Sequence, residues 1–439
     1  MNILTLTNLY PPHHAGTYDY RCQIACDDLR SRGHRVRVLT SNHGLTGQQK
    51  SGDTVRQLLL NGQFGVEKRT GFLELKDLEE SNNASLREAI EEFSPDVVLV
   101  WSLMGLSKSM IFTLEQSGIP TVYDIADDWL VSELKADPWL DFWNAEKLPF
   151  KEAAVRKSLE MSGQRDAWDK KAPTRFDRSI KRMPYLYSGG REAQEVEPGS
   201  IHTFAFKRIY FCSLSMKDQA WHAGFNVNHA DVIQPLIRTD LFKGEVKPES
   251  DPANRMLLFR TLEEGCGAMT ALKALAKVRE TNPDASLDMY GDGDSQYVAR
   301  LRSFAVQNGI PLEIHPISDP LRELPNILPR YDIFLHPTEG DESLCSTPLE
   351  AMACGLPVIG TLRGGIGSFL FNEDNALTFL AGDEIDLAEK IQTLQAYPDY
   401  RARIATCGHE RVLGAHGVDV VMTWIESYLQ DTITYWPQL

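Results

Sequence analysis

The chain has 439 residues, 42% of them hydrophobic, which excludes a disordered polypeptide and makes two cores the default. Lys and Arg total 45 against 61 Asp and Glu, a net charge of −16. That balance argues against nucleic acid as a main partner and leaves at most peripheral membrane contact through a local basic patch.

The N-terminal stretch NILTLT (2–7) is a short apolar run without a basic flank, which predicts a strand and not a signal peptide. A helical period follows from about Tyr18 to Arg32, and Gly33 stands where a C-cap belongs. RVRVLT (35–40), DVVLV (96–100) and TVY (121–123) read as further strands, with a helix near 105–117. The segment 130–205 breaks the alternation. It is charged and follows or contains Trp129, Trp139, Trp143 and Trp168, and it predicts a helical insertion or lid.

RIYFCS (208–213) and ADVIQ (230–234) resume the strand pattern. A composition break at 243–254 (KGEVKPESDPAN) reads as a linker. Alternation restarts with strands 256–260, 286–290, 312–316, 332–336 and 357–361. Helices are expected at about 267–281, 294–308 and 346–354, and a last amphipathic segment at 418–430. This order predicts two doubly wound α/β domains. Their expected limits are 1–242 and 255–415, with 416–439 returning to the first. Ligands of such sheets sit at the carboxyl ends of the strands.

The seven cysteines (22, 26, 212, 266, 345, 354, 407) are odd in number and form no Cys-x-x-Cys, as expected of reduced thiols in a cytoplasmic protein. Cys22 and Cys26 share a helix face, but no further metal ligands are in view. No metal or resident cofactor is predicted. No run of eighteen apolar residues occurs.

The most informative stretch is EGDESLCSTPLEAMACGLPVIGT (339–361). Glu342 and Glu350 are eight apart, so on a helix they sit about 80° past two full turns. Both carboxylates can face one ligand, the first from a loop and the second from inside the helix. A carboxylate accepts two vicinal hydroxyls. The helix start between them offers free N–H groups to a diphosphate. The competing reading is a solvated acidic loop before an ordinary helix. Gly16, in the loop after the first strand, and the GDG turn at Gly291 and Gly293 suit close backbone approach to phosphates, or plain turns.

Taken in order, TNLYPPHHAG, RGHRVRVLTS, MYGDGD and ESLCSTPLE resemble GT-B glycosyltransferases of family 4, which are retaining and use nucleotide-sugar donors. The resemblance covers roughly 1–130 and 255–395. It implies a GT-B fold with two Rossmann-like domains facing a central cleft, a nucleotide sugar as donor and a glycan, lipid-linked or small-molecule acceptor. It implies that Glu350 accepts hydrogen bonds from the donor ribose, that Glu342 lies near the donor sugar, and that Leu344, Cys345 and Ser346 belong to the donor site. Arg363, in TLRGGIG, would border that site.

Departures from the family pattern are specific. The family opens its second domain with Gly-Arg-Leu and then Lys-Gly. Here Arg260 matches the Arg, but Phe259 replaces the Gly and Cys266–Gly267 falls where Lys-Gly belongs. The family's Asp-x-His-Asp becomes Asp124-Ile125-Ala126-Asp127, leaving Asp127 to hold an acceptor hydroxyl or balance charge. Ser368 stands where a Glu is frequent. Losing a fixed cation near a leaving diphosphate is costly. The chain is therefore expected to be either a retaining glycosyltransferase of polysaccharide or glycoconjugate biosynthesis, or a non-catalytic GT-B protein that binds nucleotide or glycan or serves a partner subunit.

Overall fold

The computed structural model describes residues 1–45, 49–134, 137–145, 147–164, 206–340 and 345–438. The chain forms two compact units. Unit 1 holds residues 1–212, 216–233 and 422–439; unit 2 holds 213–215 and 234–421.

Unit 1 is built on an eight-stranded sheet. Its strands are β1 (Asn2–Leu6), β2 (Arg35–Ser41), β3 (Gln49–Ser51), β4 (Thr54–Leu58), β5 (Val97–Val100), β6 (Thr121–Ile125), β7 (Ile209–Phe211) and β8 (Asp231–Val232). They run in the order β3-β4-β2-β1-β5-β6-β7-β8, and β3 alone is antiparallel to its neighbour. β5 is Val-Val-Leu-Val and wholly buried, the unbroken apolar run of a strand covered on both faces. Its helices are α1 (Thr17–Ser31), α2 (Phe72–Phe93), α3 (Met110–Ser117), α4 (Pro138–Asn144), α5 (Phe150–Met161) and α6 (Leu214–His222). The connection order reverses between β1 and β5, so the switch point of unit 1 lies there.

One reading of the sequence is corrected in unit 1. The helix expected at 105–117 begins only at Met110. Residues ahead of it form a loop whose carbonyls at Leu103 and Leu106 accept from the buried Lys108 ammonium, which also pairs with Glu133 at 2.7 Å. Satisfying a buried ammonium outweighs extending the helix. The segment expected as a helical insertion or lid is helical where it is described, in α4 and α5. Trp129, Trp139 and Trp143 are buried, and α4 stacks Trp139 on Phe72 of α2 at 6.1 Å. Trp168 lies outside the described residues.

Unit 2 carries a six-stranded, all-parallel sheet. Its strands are β9 (Arg255–Phe259), β10 (Ser286–Tyr290), β11 (Leu312–His315), β12 (Ile333–His336), β13 (Val358–Gly360) and β14 (Leu377–Thr378), in the order β11-β10-β9-β12-β13-β14. The helices are α7 (Ala268–Arg279), α8 (Ser295–Gln307), α9 (Pro320–Ile327), α10 (Thr347–Ala353), α11 (Glu384–Ala396) and α12 (Pro398–Ala415). Asp294, Asp319 and Asp383 cap α8, α9 and α11 through their carboxylates. The order reverses between β9 and β12, which sets the switch point of this unit.

The final helix, α13 (Val418–Tyr435), enters unit 1 from Met422 onward. There Tyr428 donates to the Ile209 carbonyl at 3.0 Å, Arg208 lies 3.9 Å over the Tyr428 ring, and Glu426 pairs with Arg32 and His34. The supposed linker 243–254 is packed onto unit 2. Lys247 pairs with Asp332 at 2.7 Å, and a Cβ on Gly244 would lie 2.1 Å from the Cys354 carbonyl oxygen. The division between units therefore falls at 233/234, ahead of the composition break.

Candidate functional site

In unit 2 the residues of interest gather where β9 and β12 end. Arg260 follows β9 directly, and His336 closes β12 with its ring fully buried. Burial, and then the Arg260 charge, push the His336 imidazole down to about 3. It is therefore neutral at physiological pH. The sequence reading had passed over it, because a lone His inside an apolar strand gives no signal of its own.

Three glycines shape this edge. Gly267, at the start of α7, has φ +78, and a Cβ there would meet the Pro337 carbonyl oxygen at 1.8 Å. Gly291 and Gly293 press on the backbone after β9, where a Cβ would lie 2.1 Å from the Arg260 oxygen and 2.0 Å from the Leu262 oxygen. Hydrogen bonds from Arg260 N to Tyr290 O and from Leu262 N to Asp292 O lock the two strand ends together. The GDG turn thus has a packing reason of its own, and that packing holds Arg260 at the sheet edge.

Glu350 sits in the first turn of α10, 5% exposed, where the helix dipole favours a carboxylate. The Ser346 hydroxyl donates to its Oε1 at 2.9 Å. Cys345 precedes that helix; burial raises its thiol, and the Thr347 backbone N–H, then the Arg260 charge, act against the rise. Arg260, Cys345, Ser346 and Glu350 are thus brought to one edge. Arg363 is exposed in the loop after β13, on the same carboxyl edge. Glu342 and Leu344 lie outside the described residues. Cys266, at the family's Lys position, points inward: it is 1% exposed and lies 3.6 Å from the Tyr297 hydroxyl. A cluster the sequence did not announce, Asp288, Glu313 and His315 on β10 and β11, brings three donor atoms within 4.8 Å of one another.

In unit 1 the edge at the β1/β5 switch point is polar and buried. The Ser102 hydroxyl donates to Asp127 at 2.5 Å, just after β5. Asp124, next to last in β6, accepts from Tyr210 at 2.8 Å, with the Tyr18 hydroxyl at 3.1 Å. Arg21, 8% exposed, lies 5.5 Å from the Tyr18 ring and 5.9 Å from the Trp101 ring. Burial pushes Asp124 up to about 6, with Arg21 the main opposing influence. Burial pushes Asp127 up to about 7, opposed first by the Ser102 hydrogen bond, although the residue as a whole is only half-buried. Such displaced carboxylates at a sheet's ligand edge mark a candidate site. Ser102, Tyr18 and Arg21 were missed by sequence reasoning, since only the fold brings them to Asp124 and Asp127.

Gly16 precedes α1 with φ 176, extended backbone open to any residue, and a Cβ there would meet nothing within 4 Å. The fold itself does not require glycine at 16. His14 is held by Tyr20 at 2.9 Å, and Ala126 is buried.

Comparison with known proteins agrees with this layout. Residues 243–411 match the family described as glycosyl transferases group 1. YtcC of Bacillus subtilis is 31% identical over 120 residues, 25% of this chain and 28% of its own length. The D-inositol 3-phosphate glycosyltransferase of Pseudarthrobacter chlorophenolicus is 24% identical over 219 residues, 47% of this chain and 51% of the relative. The matches thus span about a quarter to a half of these relatives. Among solved structures, HepE of Anabaena, crystallised with UDP and glucose, superposes with a TM-score of 0.63 at 15% identity, covering 98% of this chain and 100% of HepE. Sucrose-phosphate synthase of Thermosynechococcus elongatus gives 0.63 at 13% identity and 99% of both chains. The fold is GT-B, with two parallel-sheet Rossmann-like domains.

Proposed function

We propose that the chain is a retaining glycosyltransferase that moves a sugar from a nucleotide diphosphate sugar to an acceptor hydroxyl. The observation that carries this reading is the carboxylate of Glu350, buried at the start of α10 on the edge that Arg260 also occupies. A buried acceptor-only group there suits the vicinal hydroxyls of a ribose. Arg260, and Arg363 on the same edge, are the cations suited to the diphosphate. Glu342 is assigned to the donor sugar on the resemblance alone, with Leu344, Cys345 and Ser346 around it. Gly16 gives a phosphate room to approach backbone, and Asp127 holds the acceptor hydroxyl.

In this reading the acceptor oxygen attacks from the face the diphosphate leaves, and a leaving-group oxygen takes the acceptor's proton. The bond to the donor phosphate breaks as the new glycosidic bond forms, so no protein nucleophile is required. The HepE complex with UDP and glucose and the group 1 match support the donor class. A glycan or lipid-linked acceptor of polysaccharide assembly and a cytoplasmic site of action belong to the same proposal. No helix among the described residues is long and apolar enough to cross a membrane.

Cys266 favours a second reading. With that side chain buried against Tyr297, the position supplies no cation to a leaving diphosphate. A protein that binds nucleotide without transfer would show this. Turnover decides between them. UDP-, GDP-, ADP- and dTDP-hexoses offered with a broad acceptor panel should give acceptor-dependent release of one nucleoside diphosphate. Nucleotide binding with neither transfer nor hydrolysis over the whole panel selects the non-catalytic reading.

A further inference from the structure

One side-chain group of unit 2 has no role in the proposed transfer: Asp288 on β10 with Glu313 and His315 on β11. Asp288 stands opposite Glu313 in the parallel register, and His315 stands opposite Tyr290, two residues further along. All three side chains therefore rise from one face of the sheet. Leu287 and Met289 fill the apolar core on the other face. β11 is the edge strand, so the group lies at a rim that solvent reaches. The Glu313 side chain is 71% exposed and that of His315 35%. One donor atom from each residue lies within 4.8 Å of the others. His315 Nε2 and Glu313 Oε2 are 3.2 Å apart, close to the roughly 3.3 Å between two donors that share one tetrahedral ion.

We infer that these three residues bind a divalent transition-metal ion of the Zn²⁺ type. Charge favours it. Asp288 and Glu313 are carboxylates directly opposite one another on adjacent strands, a pairing that repels. Neither pairs with a Lys or Arg among the described residues, and Glu313 reaches only the His315 imidazole. A cation between them removes the repulsion. Groups outside the cluster also hold the donors in place. The Tyr331 hydroxyl donates to Asp288 Oδ2 at 2.6 Å, which leaves Oδ1 for the ion. The Tyr290 ring stacks on His315 with centroids 4.6 Å apart. Partners of this kind orient the ligands of metal sites. One imidazole with two carboxylates suits Zn²⁺, whereas Mg²⁺ and Ca²⁺ take roughly six or more oxygen donors. Water completes the coordination at the open rim. Bound there, the ion ties the edge strand to β10, whose next residue, Gly291, donates its N–H to the His315 carbonyl at 2.9 Å. The inference concerns metal binding alone and stands whether or not sugar transfer occurs.

The test is titration of the chelator-stripped full-length protein with Zn²⁺, read by competition with a chromophoric chelator. Wild type should take up the ion, and the double variant Glu313→Gln with His315→Ala should lose that uptake. Both side chains reach the surface, so circular dichroism should not change. Tyr331→Phe keeps all three ligands and should weaken uptake by about tenfold. Saturating Zn²⁺ should raise the unfolding temperature of wild type and not that of the double variant, because the ion binds the folded state. Co²⁺ in place of Zn²⁺ should give d–d bands without a thiolate charge-transfer band, which separates this group from the cysteines of the chain. Three results overturn the inference: no Zn²⁺ uptake by wild type, uptake that the double variant retains in full, or a thiolate band with Co²⁺ that the double variant keeps. UDP titration of the stripped protein is run in parallel, so a failure here is distinguishable from a failure of the nucleotide-sugar reading.

Discussion

At the residue scale, Glu350 and Asp127 make separate predictions. Glu350→Ala removes a buried acceptor and should weaken nucleotide binding by about 1–3 kcal/mol, read by calorimetry with folding intact. For Asp127, the folded state holds the carboxyl proton up to about pH 7, against an ordinary value of 3.8. Between those values the folded state binds the proton and the unfolded state does not, so this group's contribution to stability falls as pH rises from about 4 to 7. Asp127→Asn abolishes that slope. Chemical unfolding of both proteins at pH 5 and pH 8 should show the variant gaining on wild type by on the order of 1–2 kcal/mol at the higher pH, after allowance for its partial exposure. Equal differences at both pH values would mean that Asp127 titrates normally. Glu350 and Arg260 were legible because their neighbours in sequence are also their neighbours in space. His336, Ser102, Tyr18 and Arg21 were not, because each owes its place to a strand or helix far away along the chain.

At the element scale, the glycines separate folding from ligand approach. Gly267→Ala and Gly291→Ala place a Cβ about 2 Å from a backbone oxygen at a positive φ, and should destabilise unit 2 by about 3 kcal/mol or more in thermal unfolding. Gly16→Ala meets nothing and should unfold as wild type does. If it nonetheless weakens nucleotide binding, the cause is close approach of a ligand to that loop. Wild-type binding by Gly16→Ala would remove the loop from the donor site. The strands were the easiest elements to read, since β5 is an unbroken apolar run and β9 and β12 hold the apolar runs Met256–Phe259 and Ile333–Leu335. The 22-residue helix α2 went unread, because its buried face carries Glu79, Asn82 and Asn83, which break an apolar period. Those groups are satisfied by Ser107, Ser109 and the Leu59 backbone, partners invisible to a pattern. The late start of α3 has the same origin in the buried Lys108.

At the scale of the whole molecule, the alternation of strands and helices gave two doubly wound sheets correctly. The division between them was misplaced because Pro, Gly and charge at 243–254 look like a linker while their side chains and backbone are spent on unit 2. The last eighteen residues belong to unit 1 through Tyr428, Glu426 and Trp436, the last donating to the Gly118 carbonyl at 2.9 Å. Removing residues 422–439 should therefore lower the unfolding temperature of unit 1 and leave nucleotide binding by unit 2 in place. The central claim is that the carboxyl edge of the unit 2 sheet grips a nucleoside diphosphate through Glu350. Calorimetric titration of the wild-type protein and Glu350→Ala with UDP, GDP, ADP and dTDP tests it most directly. The account predicts that one of the four binds wild type and that the variant binds it about tenfold or more weakly. No binding by any of them, or equal affinity in the variant, contradicts it.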